Sequence, residues 1–286
     1  MLLDDLSITA AITSQSASQP QAQMSGGSPP PGSHAHTRVL HALKATGMTD
    51  LATLYDECCY EKRCGLVHCQ ACRGRWSAEL LKRIATEKEA RYGTGDYPAR
   101  NCLRHVTVLN ALVPCDVKAI KAAIEQGRKD INSFKKKFRC TGLRGAFEIE
   151  LVNPVAMMRE QTCPAKIQTL SEMTGGKFES MTEIMALVHW HAVGFFNNGL
   201  SEDHRKWMKR KYPHHRQRRF DSLYKDQSIA ESFSKLSSYP FKDRVTYNLK
   251  FATDGFKNEF YIEPDPLAFL VNCYKAISAK TLRINR

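Results

Sequence analysis

The chain has 286 residues, 42% of them hydrophobic and 25% charged, which is enough for one large or two modest globular domains with a sizeable core. Lysine and arginine number 42 against 29 aspartates and glutamates, a net charge of +13 that points to a polyanionic partner, nucleic acid ahead of an acidic membrane. No apolar run approaches the roughly 20 residues that cross a bilayer, and the Met1-Leu-Leu-Asp-Asp5 start lacks the basic and apolar blocks of a secretory signal, so a cytoplasmic protein with no membrane partner is expected.

Residues 1–37 are rich in Ser, Gln, Ala, Gly and Pro and offer too little apolar surface to offset ordering entropy; a disordered tail is expected. A helical region over 38–92 comes next. Its first helix, 38–56, carries Leu40, Leu43, Leu51 and Leu54 as apolar positions, and its second, 76–91, turns Leu80, Leu81 and Ile84 inward. Between them stands Cys58-Cys59-Tyr-Glu-Lys-Arg-Cys64-Gly-Leu-Val-His-Cys69-Gln-Ala-Cys72. Ten cysteines in a cytoplasmic protein do not suggest a disulfide framework, and five of them within this short stretch point to metal. The spacing Cys59-x4-Cys64-x4-Cys69-x2-Cys72 ends in the Cys-x2-Cys that closes a tetrahedral structural zinc site, with Cys58 or His68 able to replace one ligand.

Gly93 to Ala99 reads as a turn region. Residues 102–109 alternate as a strand, Asp116 caps a helix running to about Phe138 with Ile120, Ile124, Ile131 and Phe134 in stripe, and 142–152 form a second strand. A loop-rich insertion is expected over 153–183. Then comes an apolar stretch, Met185-Ala-Leu-Val-His-Trp-His-Ala-Val-Gly-Phe-Phe196, read as a buried strand. The segment 205–220 is densely basic, helical patches follow around 228–236 and 241–252, and a last helix over 263–286 is capped by Asp265 with Pro266 at its first position. The order of elements is an α+β pattern.

His189 and His191 are the most informative pair. On a strand they share a face with about 6.6 Å between them, close enough to grip one divalent cation, while Trp190 packs on the other side. Glu148 and Glu150, two apart on the preceding strand, are the carboxylates from which a third ligand can come. Tyr247 lies in Asp-Arg-Val-Thr-Tyr-Asn-Leu-Lys, read as a helix that puts Lys250 one turn on, so that a phenol and a cation would face together. Tyr239 precedes Pro240 and cannot share that helix face. In the basic segment Arg205, Lys209, Arg210, Lys211, Arg216, Arg218 and Arg219, interleaved with Trp207, Tyr212 and Phe220, suit a phosphate backbone with bases stacked on the rings.

Taken in order, Cys64-x4-Cys69-x2-Cys72-Arg, Arg104-His-Val-Thr-Val-Leu109, Gly145-Ala-Phe-Glu148, Val188-His-Trp-His-Ala-Val193 and Tyr247-Asn-Leu-Lys250 resemble the rolling-circle replication initiators of the HUH endonuclease superfamily. The resemblance implies an antiparallel sheet of ferredoxin or RRM-like type flanked by helices, occupying 93–262 as the endonuclease domain behind the zinc knuckle. It implies Glu148, His189 and His191 around a catalytic Mg2+ or Mn2+, with Zn2+ confined to the cysteines. It also implies Tyr247 as a nucleophile, assisted by Lys250, that nicks a single-stranded or hairpin DNA origin and stays joined to the 5′ phosphate, with a host helicase and polymerase as further partners. A relaxase or transposase would share this chemistry; a non-catalytic zinc-containing DNA-binding regulator is the competing reading.

Overall fold

The computed structural model describes residues 34–59, 61–95, 99–139, 141–160, 163–214, 216–242, 244–247 and 260–285. Most of the expected tail and Lys250 lie outside these residues.

Five antiparallel strands form one sheet, in the order β4-β1-β3-β2-β5. The three long strands are β1 (Leu103–Pro114), β2 (Thr141–Val152) and β3 (Met185–Phe196); β4 (Arg218–Asp221) and β5 (Arg283–Asn285) are short edges. The histidine strand β3 is central and buried along its whole length. That explains a run of Val, Trp and Phe with little alternation, because both of its faces are covered.

The two faces differ in chemistry. Val106, Val108, Phe147, Ile149, Val188 and Trp190 point to one side, where α4 (Val117–Lys137) buries Ile120, Ile124, Ile131 and Phe134. Asp116 caps α4 by accepting from the Ala119 amide. The opposite face is polar: His105, Thr107, Arg144, Glu148, Glu150, His189 and His191. It is covered by α3 (Gln70–Tyr92), α6 (Pro164–Met173), α8 (Ile229–Ser238) and a one-turn 3-10 helix, Tyr239–Phe241. Ion pairs Glu87–Arg144 (2.5 Å) and Glu79–Arg283 (2.5 Å) tie α3 to this face.

Several sequence expectations change. The first helix is two, α1 (His34–Ala45) and α2 (Thr49–Asp56), because Gly47 takes φ +75° and ends α1. The insertion after β2 is not loop-rich; it holds α5 (Pro154–Glu160), α6 and a 3-10 turn, with prolines opening both helices. The region around 241–252 is not helical where described: beyond Phe241 the chain is extended, Thr246 bridges Tyr261, and the Tyr247 amide donates to the Phe260 carbonyl. The last helix, α9 (Pro264–Ile277), starts from Glu263 with Pro264 first, ahead of the expected Asp265 cap. Helix α7 (Glu202–Lys211) takes up the first half of the basic segment and β4 its end. Neither edge strand stands out in the sequence, since each is too short to show a period.

Gly145, opposite Ala192, lets β2 and β3 close up: a Cβ there would lie 2.6 Å from Ala192 Cα and collide with the His191 carbonyl oxygen. Gly145→Ala should therefore destabilise the protein by about 3 kcal/mol in a denaturant titration. A change below about 0.5 kcal/mol would show that the strands can part there without cost.

Candidate metal centres and active site

Strand register assembles the first cluster. His189 lies opposite Glu148 of β2 and His191 opposite Thr107 of β1, so all four side chains share the polar face. Glu148 Oε2 is 3.1 Å from His191 Nε2 and 3.7 Å from His189 Nε2. One donor atom from each of the three residues lies within 4.8 Å of the others. All three residues are buried, and Glu148 Oε2, His189 Nε2 and His191 Nε2 have no hydrogen-bond partner among the described residues. Buried polar atoms are almost always paired, so three orphans aimed at one point fit a cation. Burial pushes the His189 imidazole down to about 3, despite the opposing pull of Glu148, and lowers His191 as well, so both rings are neutral at pH 7 with a lone pair free for a ligand. His191 Nδ1 is 3.0 Å from Thr107 Oγ1, which orients the ring from behind.

The carboxylates are heavily compensated. Burial alone would raise Glu148, but the Arg244 guanidinium beside it holds it well below the usual carboxylate range. Arg244 reaches Glu148 Oε1 with both Nε and Nη2 at 2.7 Å. Glu150 is likewise opposed by burial and held at about 2, first by Lys166, whose Nζ is 2.6 Å from Oε1, and then by Arg244.

The tyrosine beside this cluster is Tyr239. Its ring packs edge-on against His191 at 4.7 Å and His105 at 5.5 Å between centroids. Lys242 Nζ lies 3.5 Å from the Tyr239 ring centroid. Tyr239-Pro-Phe-Lys242 is thus a second Tyr-x-x-Lys, and its spacing was available in the sequence. Pro240 does not disqualify it, because the residues form a single 3-10 turn rather than a longer helix. Tyr247 is engaged elsewhere: its hydroxyl donates to Glu263 at 2.6 Å, and burial followed by Glu263 raises it. The helix that was to align Tyr247 with Lys250 is absent up to Tyr247, where the chain is extended.

The second cluster comprises Cys58, Cys64, Cys69 and Cys72, all buried, with sulfurs within 4.8 Å of one another. Sulfur separations of 3.4 Å (Cys58–Cys69), 3.7 Å (Cys58–Cys72) and 3.7 Å (Cys64–Cys72) match the edges of about 3.8 Å that a tetrahedron with 2.3 Å zinc–sulfur bonds requires. Gly65 at φ +70° folds the knuckle back, and its amide donates to Cys72 Sγ. Hydrogen bonds from Cys64 and Cys69 lower the Cys72 thiol. Cys58 takes the place expected for Cys59. Neighbouring residues of an extended segment point apart, and Cys59 turns outward, with Sγ 3.6 Å from Glu61. His68 packs edge-on against Tyr274 and is not in the cluster.

The basic segment divides between the two faces. Arg205, Lys209 and Arg210 are exposed on α7, which packs Trp207 on Phe134 on the apolar side, away from the histidines. Arg216 is exposed in the turn after it. Lys211 pairs with Asp130 (2.8 Å) and Arg218 donates to the Tyr212 carbonyl (2.7 Å). Arg219, opposite Thr107 and paired with Asp221, faces the histidine side.

Cys58→Ser should lose any metal the cluster binds and at least about 4 kcal/mol of stability, whereas Cys59→Ser should keep both, as read by metal analysis and thermal unfolding. The reverse result would restore Cys59 to the cluster. No protein-family model matches the chain, and neither a curated protein nor a solved structure matches it.

Proposed function

We propose that this protein is a metal-dependent single-strand DNA endonuclease and strand transferase that starts rolling-circle replication, of the HUH type, with Tyr239 as its nucleophile in place of Tyr247. The observation that carries the reading is the convergence of Glu148 Oε2, His189 Nε2 and His191 Nε2, buried and unpartnered, beside the Tyr239 ring. An Mg2+ or Mn2+ ion held by these residues would polarise a phosphoryl oxygen of the scissile group.

The chain's own residues supply the rest. Burial raises the Tyr239 hydroxyl, so it keeps its proton until the phosphate is in place. The phenolic oxygen then attacks phosphorus and the bond to the 3′ oxygen breaks. The proton leaves the phenol and the 3′ oxygen departs as a hydroxyl, leaving a 5′-phosphotyrosine link. Lys242, pulled down to about 8 by burial, remains largely charged at neutral pH and brings a cation to the nucleophile. Arg219 adds another on the same face, and the net charge of +13 favours a polyanion throughout. The released 3′ end would prime a host polymerase, with a helicase opening the duplex. The four-cysteine knuckle has no open position and would hold Zn2+ structurally.

A labelled single-stranded origin oligonucleotide incubated with Mn2+ tests the reading. The parent should form a covalent adduct, Tyr239→Phe should lower its yield about a thousandfold or more, and Tyr247→Phe should retain it. A mobility shift with no adduct in any variant would instead favour the zinc-containing regulator. His191→Ala should abolish cleavage while leaving salt-sensitive DNA binding. Arg219→Ala should weaken binding and reduce the salt slope by about 1; an unchanged slope would remove Arg219 from the DNA path.

A further inference from the structure

We propose that Arg244 is a built-in counter-cation that keeps the Glu148–His189–His191 centre near charge balance, so that a divalent ion is taken up together with a phosphate and only weakly without one. The proposal rests on the reading of the triad as the ion site.

The charges around the centre can be counted. Glu148 and Glu150 bring two carboxylates, each with an oxygen 3.7 Å from His189 Nε2. Arg244 sits on Glu148 at 2.7 Å and within 3.7 Å of Glu150, while Lys166 sits on Glu150 at 2.6 Å. Among the described residues, two anions therefore face two cations before any metal arrives. Lys242, over the Tyr239 ring, and Arg219 of β4, opposite Thr107 and paired with Asp221, stand on the same face. A dication entering this buried region finds donor atoms but no net negative charge, and uncompensated buried charge is costly. A phosphodiester supplies the missing anion, together with oxygens to complete the shell.

Arg244 has a second effect. With Nε and Nη2 both on Oε1, it leaves Oε2 as the oxygen turned to the imidazoles. Its side chain belongs to the segment that carries Tyr239 and Lys242, so the nucleophile and the metal-binding carboxylate are held by one contact. A glutamine at 244 could still donate to Oε1 but would remove the charge.

The test reads Mn2+ binding from the paramagnetic resonance signal of the free aqueous ion and needs no cleavage. It uses full-length Tyr239→Phe protein, with and without saturating random-sequence single-stranded oligonucleotides. Mn2+ affinity should rise about tenfold or more with DNA, and DNA affinity should rise by the same factor with Mn2+, since the coupling is reciprocal. Adding Arg244→Gln should tighten Mn2+ binding about tenfold without DNA and shrink the gain that DNA brings. Mn2+ affinity indifferent to DNA, or an Arg244→Gln protein that binds Mn2+ no more tightly, overturns the proposal. If Arg244→Gln does not fold, Lys166→Gln removes the other balancing charge and should shift Mn2+ affinity the same way; no shift overturns it equally. A His191→Ala protein that binds Mn2+ as well as its parent removes the triad itself as the ion site, a failure distinct from that of Arg244.

Discussion

The structure depends on placing ionisable groups in the middle of a strand that is covered on both faces. A strand such as β3 would ordinarily be filled with apolar side chains, and two imidazoles there, with a carboxylate beside them on β2, are expensive to desolvate. The cost is met by register. β2 and β1 are aligned so that Glu148 meets His189 and Thr107 meets His191, while Trp190 and its neighbours keep the other face apolar against α4. A slip of one residue would turn both imidazoles into the apolar core and Trp190 into the polar face, so the fold and the candidate centre stand or fall together.

The helical layer over the polar face is shaped by the same charges. Arg144, Arg283, Glu150 and Glu148 each meet an opposite charge from α3, α6 or the strap after α8. These contacts leave three donor atoms unsatisfied and satisfy most of what surrounds them. The knuckle is tied to the rest of the protein separately, with Lys275 of α9 donating to the Cys64 carbonyl and Tyr55 of α2 to that of His68.

Much of this was legible in the chain itself. The β3 boundaries, the α4 stripe with its Asp116 cap, the α+β order of elements and the pairing of two histidines on one face follow from periodicity and capping, which are local signals. Glu148 could be narrowed from Glu150 only by resemblance, and the cysteine cluster could be located, but spacing put Cys59 in it where the structure has Cys58. A local pattern does not say where in the fold a residue lies. A Tyr-x-x-Lys on a presumed helix favoured Tyr247, although the same spacing occurs at Tyr239.

The sequence by itself determined that buried imidazoles, clustered thiols and excess positive charge had to be accommodated, because residue type and spacing fix the chemistry a segment can offer. Tertiary structure alone decided which phenol meets the imidazoles, which of two adjacent thiols turns inward, and that Arg244 closes on Glu148 nearly a hundred positions away along the chain. The first and last of those choices depend on how a single turn after α8 sits against the sheet, and contacts between distant segments leave no period in the chain to be read.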